Sequence, residues 1–304
     1  MSTRRIAPPV LGVQPIKADA QVPSFDLVRE ALSRARRAPS VWNRQPWQWR
    51  FDGAELHLFA DPERLAGVSD PDGRLMLLSC GMALHHGIVA LAGLGWTAHV
   101  TEFPTDENAL HIASLRFTRT GADGGAILAM FLAMDSRRTE TRPLASLGPL
   151  SPVPHQLAQC ARAHGASLAL LDDDGIDAIT GAARLPLRSE RMSAWRVERD
   201  RADVGVLLTE SDDPQAWLHA GIALSAIILL ATSLNVATCP IIDIDDRPGV
   251  RDAARRSRNG HNGSVGNGTE SGGYAQAVLR LGHQRYPVLP RSHRRDVREV
   301  LRNR

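Results

Sequence analysis

Setting residues 80–98 over residues 220–238 places Gly81 on Gly221, Ala83 on Ala223, Leu84 on Leu224, Ile88 on Ile228 and Leu94 on Leu234, all at one offset. Each copy opens Gly-x-Ala-Leu, continues as an apolar helix, and stops at Gly95 or Asn235, residue types suited to a left-handed cap. A β-prone run follows each. A second echo, Ala113-Ser114-Leu115-Arg116-Phe117 against Ala277-Val278-Leu279-Arg280-Leu281, comes at a larger offset, so the second copy carries extra residues. A chain built this way must fold as two related units, and 304 residues suffice for two modest cores. Part of the surplus is found at residues 256–273, a Gly/Asn/Ser tract with almost nothing to bury, expected to be a flexible surface loop. It is no phosphate-binding fingerprint, because the GxGxxG spacing fails at Ser271.

Local patterns fill in the units. Phe25, Val28, Leu32 and Ala35 recur at helical spacing behind Ser24, a natural N-cap, predicting an amphipathic helix over residues 24–37. Residues 49–51, 56–60, 97–101 and 109–118 alternate as strands, and residues 127–136 and 155–164 read as short helices. The fold class is therefore α+β, with helices on mainly antiparallel sheets. Residues 1–23 are read as an N-terminal arm, 24–135 as the first repeat and 136–304 as the second.

Several function classes fall away. A formal charge of +3, spread along the chain, argues against a nucleic-acid binder. Cys80, Cys160 and Cys239 sit apart in apolar surroundings, which points to reduced thiols in the cytoplasm, with no disulfide framework or zinc site. Residues 215–242 lack charge and are long enough to span a bilayer, but Asn235 and Pro240 interrupt them. A buried helix running into a strand is the better reading, and no membrane association is expected. His85-His86 lack the i, i+4 spacing of a metal pair and are assigned to packing or capping. The aspartates at 172–174 and 243–246 read as solvated loops, so no metal is expected.

Two segments remain that carry chemistry. Ala-Pro-Ser-Val-Trp-Asn-Arg-Gln-Pro-Trp occupies residues 38–47, and Arg137-Arg138-Thr139, followed by Arg142-Pro143, lies about a hundred residues on. Short polar groups beside a turn suit the amide-like edge of a flat ring, and clustered arginines suit a phosphate, so together they fit a bound flavin. The first segment resembles the motif after the first long helix of nitroreductase-family flavoenzymes. The second resembles the Arg-Arg-Ser/Thr motif that opens the same fold. The arrangement over most of residues 24–304 is similar to the double-length, Acg-like NAD(P)H nitroreductase branch.

That resemblance implies a tandem-duplicated fold in which an intrachain pseudo-dimer replaces two subunits, which permits a monomer. It implies FMN held between the halves, with NADH or NADPH as electron donor. Arg137, Arg138, Thr139 and Arg142 would meet the phosphate and ribityl chain, while Ser40, Val41, Asn43 and Gln45 would approach the ring. Arg294-Arg295 resembles a basic pair that adds phosphate contacts, and Pro240, Ile241 and Ile242 resemble a stretch whose amides face the hydride-accepting nitrogen. Each half is expected to have kept one motif. The asparagine motif is missing from residues 179–187, taken as its counterpart, and the arginine motif would fall in or before the arm. Departures from the family pattern are Thr141, where a further arginine is common, and Ile242-Asp243 in place of an acidic residue and glycine. Residues 182–205 are the candidate for a lid. The implied activity is hydride transfer from NAD(P)H through FMN to a nitroaromatic, quinone or similar small acceptor. The alternative is an FMN-binding, sequestering protein with little turnover. No protein acid or base is named as catalytic, since the cofactor performs the redox step.

Overall fold

The computed structural model describes residues 22–65, 70–105, 108–120, 125–182, 191–193, 196–198, 200–244, 246–260 and 273–303. The first half opens with α1, Phe25–Ala35, capped by Ser24, whose Oγ accepts from the Leu27 amide at 3.3 Å. After a 3-10 turn, Val41–Asn43, come β1, Trp47–Phe51, β2, Leu56–Ala60, and a second 3-10 turn, Pro62–Leu65. Then follow α2, Arg74–Gly93, β3, Trp96–Glu102, β4, His111–Arg119, and α3, Gly125–Ser136. A connector carrying β5, Leu144–Ala145, leads to α4, Val153–Ala163, β6, Ser167–Leu170, and α5, Asp173–Ala182. The hairpin β7, Arg191–Ser193, and β8, Arg196–Glu198, precedes β9, Asp203–Thr209, and α6, Pro214–Ser233. The last elements are β10, Ala237–Ile241, α7, Arg247–Gly260, β11, Tyr274–Gln284, α8, Val297–Val300, and β12, Leu301–Asn303.

The two main sheets repeat one plan. The first runs β12-β1-β2-β4-β3 and the second β10-β11-β9-β6, so β1, β2, β4 and β3 correspond in order to β6, β9, β11 and β10. All pairings within these four-strand sets are antiparallel. Gly95 and Asn235 both take left-handed φ, 86° and 58°, turning each central helix into its following strand. Such a fold is α+β, two similar antiparallel-rich sheets flanked by helices.

At the centre α2 lies against α6, and their closest approach is at the aligned glycines. A Cβ on Gly81 would stand 2.2 Å from the Leu218 carbonyl oxygen, and one on Gly221 2.2 Å from that of Leu78. These reciprocal contacts mark a local two-fold relation through the seam. Apolar residues line both helices all round because both are enclosed, with most of each buried. The uncharged stretch is thus a core helix running into β10, as its interruptions imply.

Three expectations need correction. The Gly/Asn/Ser tract does not begin at Arg256, since α7 continues to Gly260. Val250, Ala253 and Ala254 anchor that helix in a second cluster with Ile176, Ile179 and Val206, and residues 261–272 lie outside the described set. The counterpart of the asparagine turn is not residues 179–187. By position between helix and edge strand it is the short link His164-Gly165-Ala166 between α4 and β6, while residues 179–182 belong to α5 and 183–190 are not described. In the aspartate clusters Asp173, Asp174 and Asp243 are exposed, as a solvated reading expects, while Asp172 and Asp246 also cap, accepting from the Gly175 and Gly249 amides. Of the lid candidate, residues 203–205 are part of β9, an interior strand, and residues 183–190, 194–195 and 199 lie outside the described set.

Candidate functional site

The end of α1 runs directly into the asparagine turn, and the end of α3 into the arginine doublet. Trp42, Asn43 and Gln45 all have positive φ, 44°, 58° and 53°, a concentration of left-handed non-glycine residues that costs energy and must be held by its surroundings. It is held in detail. Ser40 Oγ accepts from the Gln45 amide at 2.9 Å, the Val41 amide donates to Ser79 Oγ at 3.3 Å, and Gln45 Oε1 accepts from the Arg295 amide at 2.9 Å. Buried Arg295 adds donations to the Gln45 and Trp47 carbonyls, at 3.2 and 3.0 Å. Val41 and Gln45 are therefore buried within the turn, while the Trp42 side chain stands 60% exposed.

A pocket of about 190 Å³ opens beside this turn, lined by Arg36, Arg37, Met134, Arg137, Arg138, Arg291, Ser292 and Arg294. Arg137 and Arg294 both donate to the Arg37 carbonyl, at 3.3 and 3.4 Å, and Arg294 Nη1 donates to Asn43 Oδ1 at 2.8 Å. The guanidinium doublet and the asparagine turn thus meet through one C-terminal arginine. Asn43 Nδ2 donates to the His293 carbonyl at 2.9 Å, so this side chain also grips the C-terminal segment. Each of its polar atoms keeps capacity for one further bond.

Arg138 folds back on the end of α3, donating to the carbonyls of Asp135, Ser136 and Arg137, the helix-capping role open to any terminal arginine. Its Nε, like those of Arg137 and Arg294, is buried without a partner. Thr139 pairs in a β-bridge with Thr238, and the Glu140 amide donates to the Thr238 carbonyl at 2.9 Å, which ties the doublet to β10. Thr238 Oγ1 is buried and also lacks a partner. Pro240 and Ile241 lie further along β10, half-buried; Ile242 is buried, its carbonyl accepting from Arg74 at 2.7 Å.

Electrostatics make the pocket hungry for an anion. Burial, followed by the charges of Arg294 and Arg138, lowers Arg137 to about 9, still protonated at neutral pH but at a cost. Burial and neighbouring guanidinium groups likewise lower Arg37, Arg138 and Arg294. Asp135 is the acid at the edge of this group, and it pairs with Arg34 and Arg37. Arg142, expected among the phosphate ligands, is placed elsewhere: it grips Glu140 with Nε and Nη2, at 2.7 and 2.6 Å, and lies over the Tyr286 ring. Arg36, Arg37, Arg291 and Ser292 escaped the sequence reading. The Arg36-Arg37 pair abutting the turn was the available signal, whereas Arg291 and Ser292 offered none.

The class these features define is a duplicated α+β fold with an arginine-lined pocket beside a strained asparagine turn. No family model matches the chain. It is 31% identical to "Putative NAD(P)H nitroreductase Rv3131" of Mycobacterium tuberculosis, over 95% of each chain. It is 29% identical to the protein of that organism named "Putative NAD(P)H nitroreductase acg", over 75% of this chain and 83% of the relative. Among solved structures, one described as a "putative nitroreductase" from Anabaena variabilis superposes with a TM-score of 0.60 at 12% identity, over 87% of this chain and 90% of the other, a likeness of fold. The chain belongs to the nitroreductase family.

Proposed function

We propose that the protein is an FMN-dependent oxidoreductase of the double-length, Acg-like branch, in which electrons pass from NAD(P)H through the flavin to a nitroaromatic, quinone or similar small acceptor. The observation that carries this reading is the convergence of Arg137, Arg138 and Arg294 on one pocket beside the Asn43 turn. Their buried, unpartnered Nε atoms and the unpartnered Thr238 hydroxyl are donors awaiting acceptors, a set that fits a phosphate monoester and the hydroxyls attached to it. FMN, when bound, supplies the hydride-accepting ring.

The chain's own residues do the rest. Arg137 and Arg294 would hold the phosphate from the inside of the pocket, Arg138 and Thr139 from its β10 side, and Asn43 would fix Arg294 in place. Gln45 and Arg295 lock the strained turn, so Ser40 and Val41 would present a preset edge to the ring. Pro240, Ile241 and Ile242 would flank the site from β10. Both motifs lie within a single chain, so the reading requires no second subunit. We assign the protein to the cytoplasm on its unpaired cysteines.

The visible spectrum of freshly purified protein tests this. A flavin band is expected, with loss of at least about tenfold in FMN affinity for Arg137→Ala, about 1.4 kcal/mol or more, and a similar loss for Asn43→Ala. Unchanged retention by Arg137→Ala would remove it from the site. Anaerobic addition of NADPH should bleach the flavin rapidly; persistent yellow colour would instead indicate flavin sequestration.

A further inference from the structure

The pocket carries more positive charge than one phosphate monoester needs. Six arginines line it, and among the described residues Arg37 alone of the six is within ion-pair distance of a carboxylate, that of Asp135. A phosphate monoester brings about −1.5 to −2 at neutral pH, so roughly three guanidinium charges remain without a counter-charge after it binds. The lining is also tiered. Arg137 is 6% exposed and Arg294 half-buried, both tied to the Arg37 carbonyl, whereas Arg291 and Ser292 are exposed at the rim, with Arg36 half-buried beside them. Arg36 and Arg291 are oriented by backbone carbonyls, Arg36 donating to those of Ser33 and Arg295 and Arg291 to that of Asp135, so both forks are fixed without being neutralised.

We infer that this rim is a second anion subsite, formed by Arg36, Arg291 and Ser292, that takes the 2′-phosphate of the nicotinamide donor, so that this chain uses NADPH in preference to NADH. The inference rests on the inner tier holding the phosphate of FMN. Were a nicotinamide to stack on a flavin anchored there, the adenosine end of the dinucleotide would have this rim of Arg36, Arg291 and Ser292 as a cationic surface within the same pocket. The group that distinguishes NADPH from NADH is then a phosphate monoester, the chemistry that fixed, uncompensated arginine forks recognise. A neutral 2′-hydroxyl offers these cations little.

The test is titration calorimetry of the flavin-loaded protein with 2′,5′-ADP and, separately, 5′-ADP at fixed ionic strength. The 2′-phosphate should tighten binding at least about tenfold, and Arg291→Ala should abolish most of that difference while the protein stays yellow. The ratio of kcat/KM for NADPH over NADH should fall in parallel. Equal affinities, an unchanged difference in Arg291→Ala, or release of one flavin per 2′,5′-ADP bound would each overturn the second subsite. Protein that is colourless and does not retain added FMN overturns the flavin reading as well, an outcome told apart by absorbance before any titration.

Discussion

Ser225 occupies the aligned position of His85 in the other half, and its hydroxyl joins two imidazoles across the seam. Its Oγ lies 2.8 Å from His85 Nδ1 and 2.7 Å from His86 Nδ1, so of the two roles the sequence left open, packing or capping, these histidines take packing. Burial, followed by the charge of His164, lowers His85 to about 3; burial, then Arg137, holds His86 well below its ordinary value; and burial, then His219, lowers His164. A histidine kept neutral by the fold takes up its proton more readily in the unfolded chain. Its contribution is therefore fully present above the unfolded value of about 6.5 and is lost as pH falls below it, continuing toward about 3 for His85. His219 runs the other way: its hydrogen bond to Glu102 raises it, so its contribution is present at low pH and lost as pH rises through the raised value. The urea midpoint should accordingly decline from about pH 6.5 to about pH 4.5, above the range where Asp52 and Asp212, both held at about 2, begin to count. Each fully buried imidazole sets an upper slope of about 1.4 kcal/mol per pH unit. A flat midpoint across that interval would show that these histidines do not govern acid stability.

Helix pairing, rather than any single strand, sets the architecture, and the pair at Gly81 and Gly221 permits a sharp test. Alanine at either site would press a methyl group against a backbone carbonyl of the facing helix, which cannot swing aside as a side chain would. Overpacking of about 1–3 kcal/mol is expected for Gly81→Ala, with a lower Tm. Both substitutions demand the same widening, so Gly81→Ala with Gly221→Ala should cost clearly less than the two single losses added. Melting temperatures of the singles equal to that of the parent, or strict additivity, would contradict the close approach. These helices were legible in the sequence because the seam they form was copied with the unit: the same glycine, alanine and leucines had to survive in both. The second half's extra elements were less legible. In α7 the apolar positions Val250, Ala253 and Ala254 are few beside its arginines, so the sequence pattern marks no helix there and its last turn merges with the polar tract. The short link His164-Gly165-Ala166 has no motif to find, so the lost counterpart of the asparagine turn was sought too far along.

At the scale of the whole chain the pocket is assembled by return of the C-terminus. The asparagine turn and the Arg137 doublet were readable as local motifs, but their meeting depends on Arg294, and the outer cations Arg36 and Arg291 gain their place only from tertiary packing. Beyond β11 the chain leaves the second sheet and crosses to the first, where β12 pairs in parallel with β1, Trp49 opposite Leu301 through Phe51 opposite Asn303. This strand closes the edge of the first sheet, and Asp296 caps the short α8 that leads into it. Arg291, Arg294 and Arg295 lie on the crossing segment, so β12 acts as the pin that holds them against the turn. Removing residues 297–304 should leave the α2–α6 core and most of the ellipticity intact, since α8 and β12 are short and add only Leu301 and the flanking Val297 to the main core. FMN affinity should nevertheless fall at least about tenfold, because ordering the released segment would then be charged against binding. Arg295→Met, which keeps the strand but removes the donations to the Gln45 and Trp47 carbonyls, should weaken FMN in the same direction. Equilibrium dialysis against FMN decides between this and a site complete without the pin: if the shortened chain binds as tightly as the full one, the arginines hold their positions by contacts with the turn alone, and the strand serves only to cover an edge.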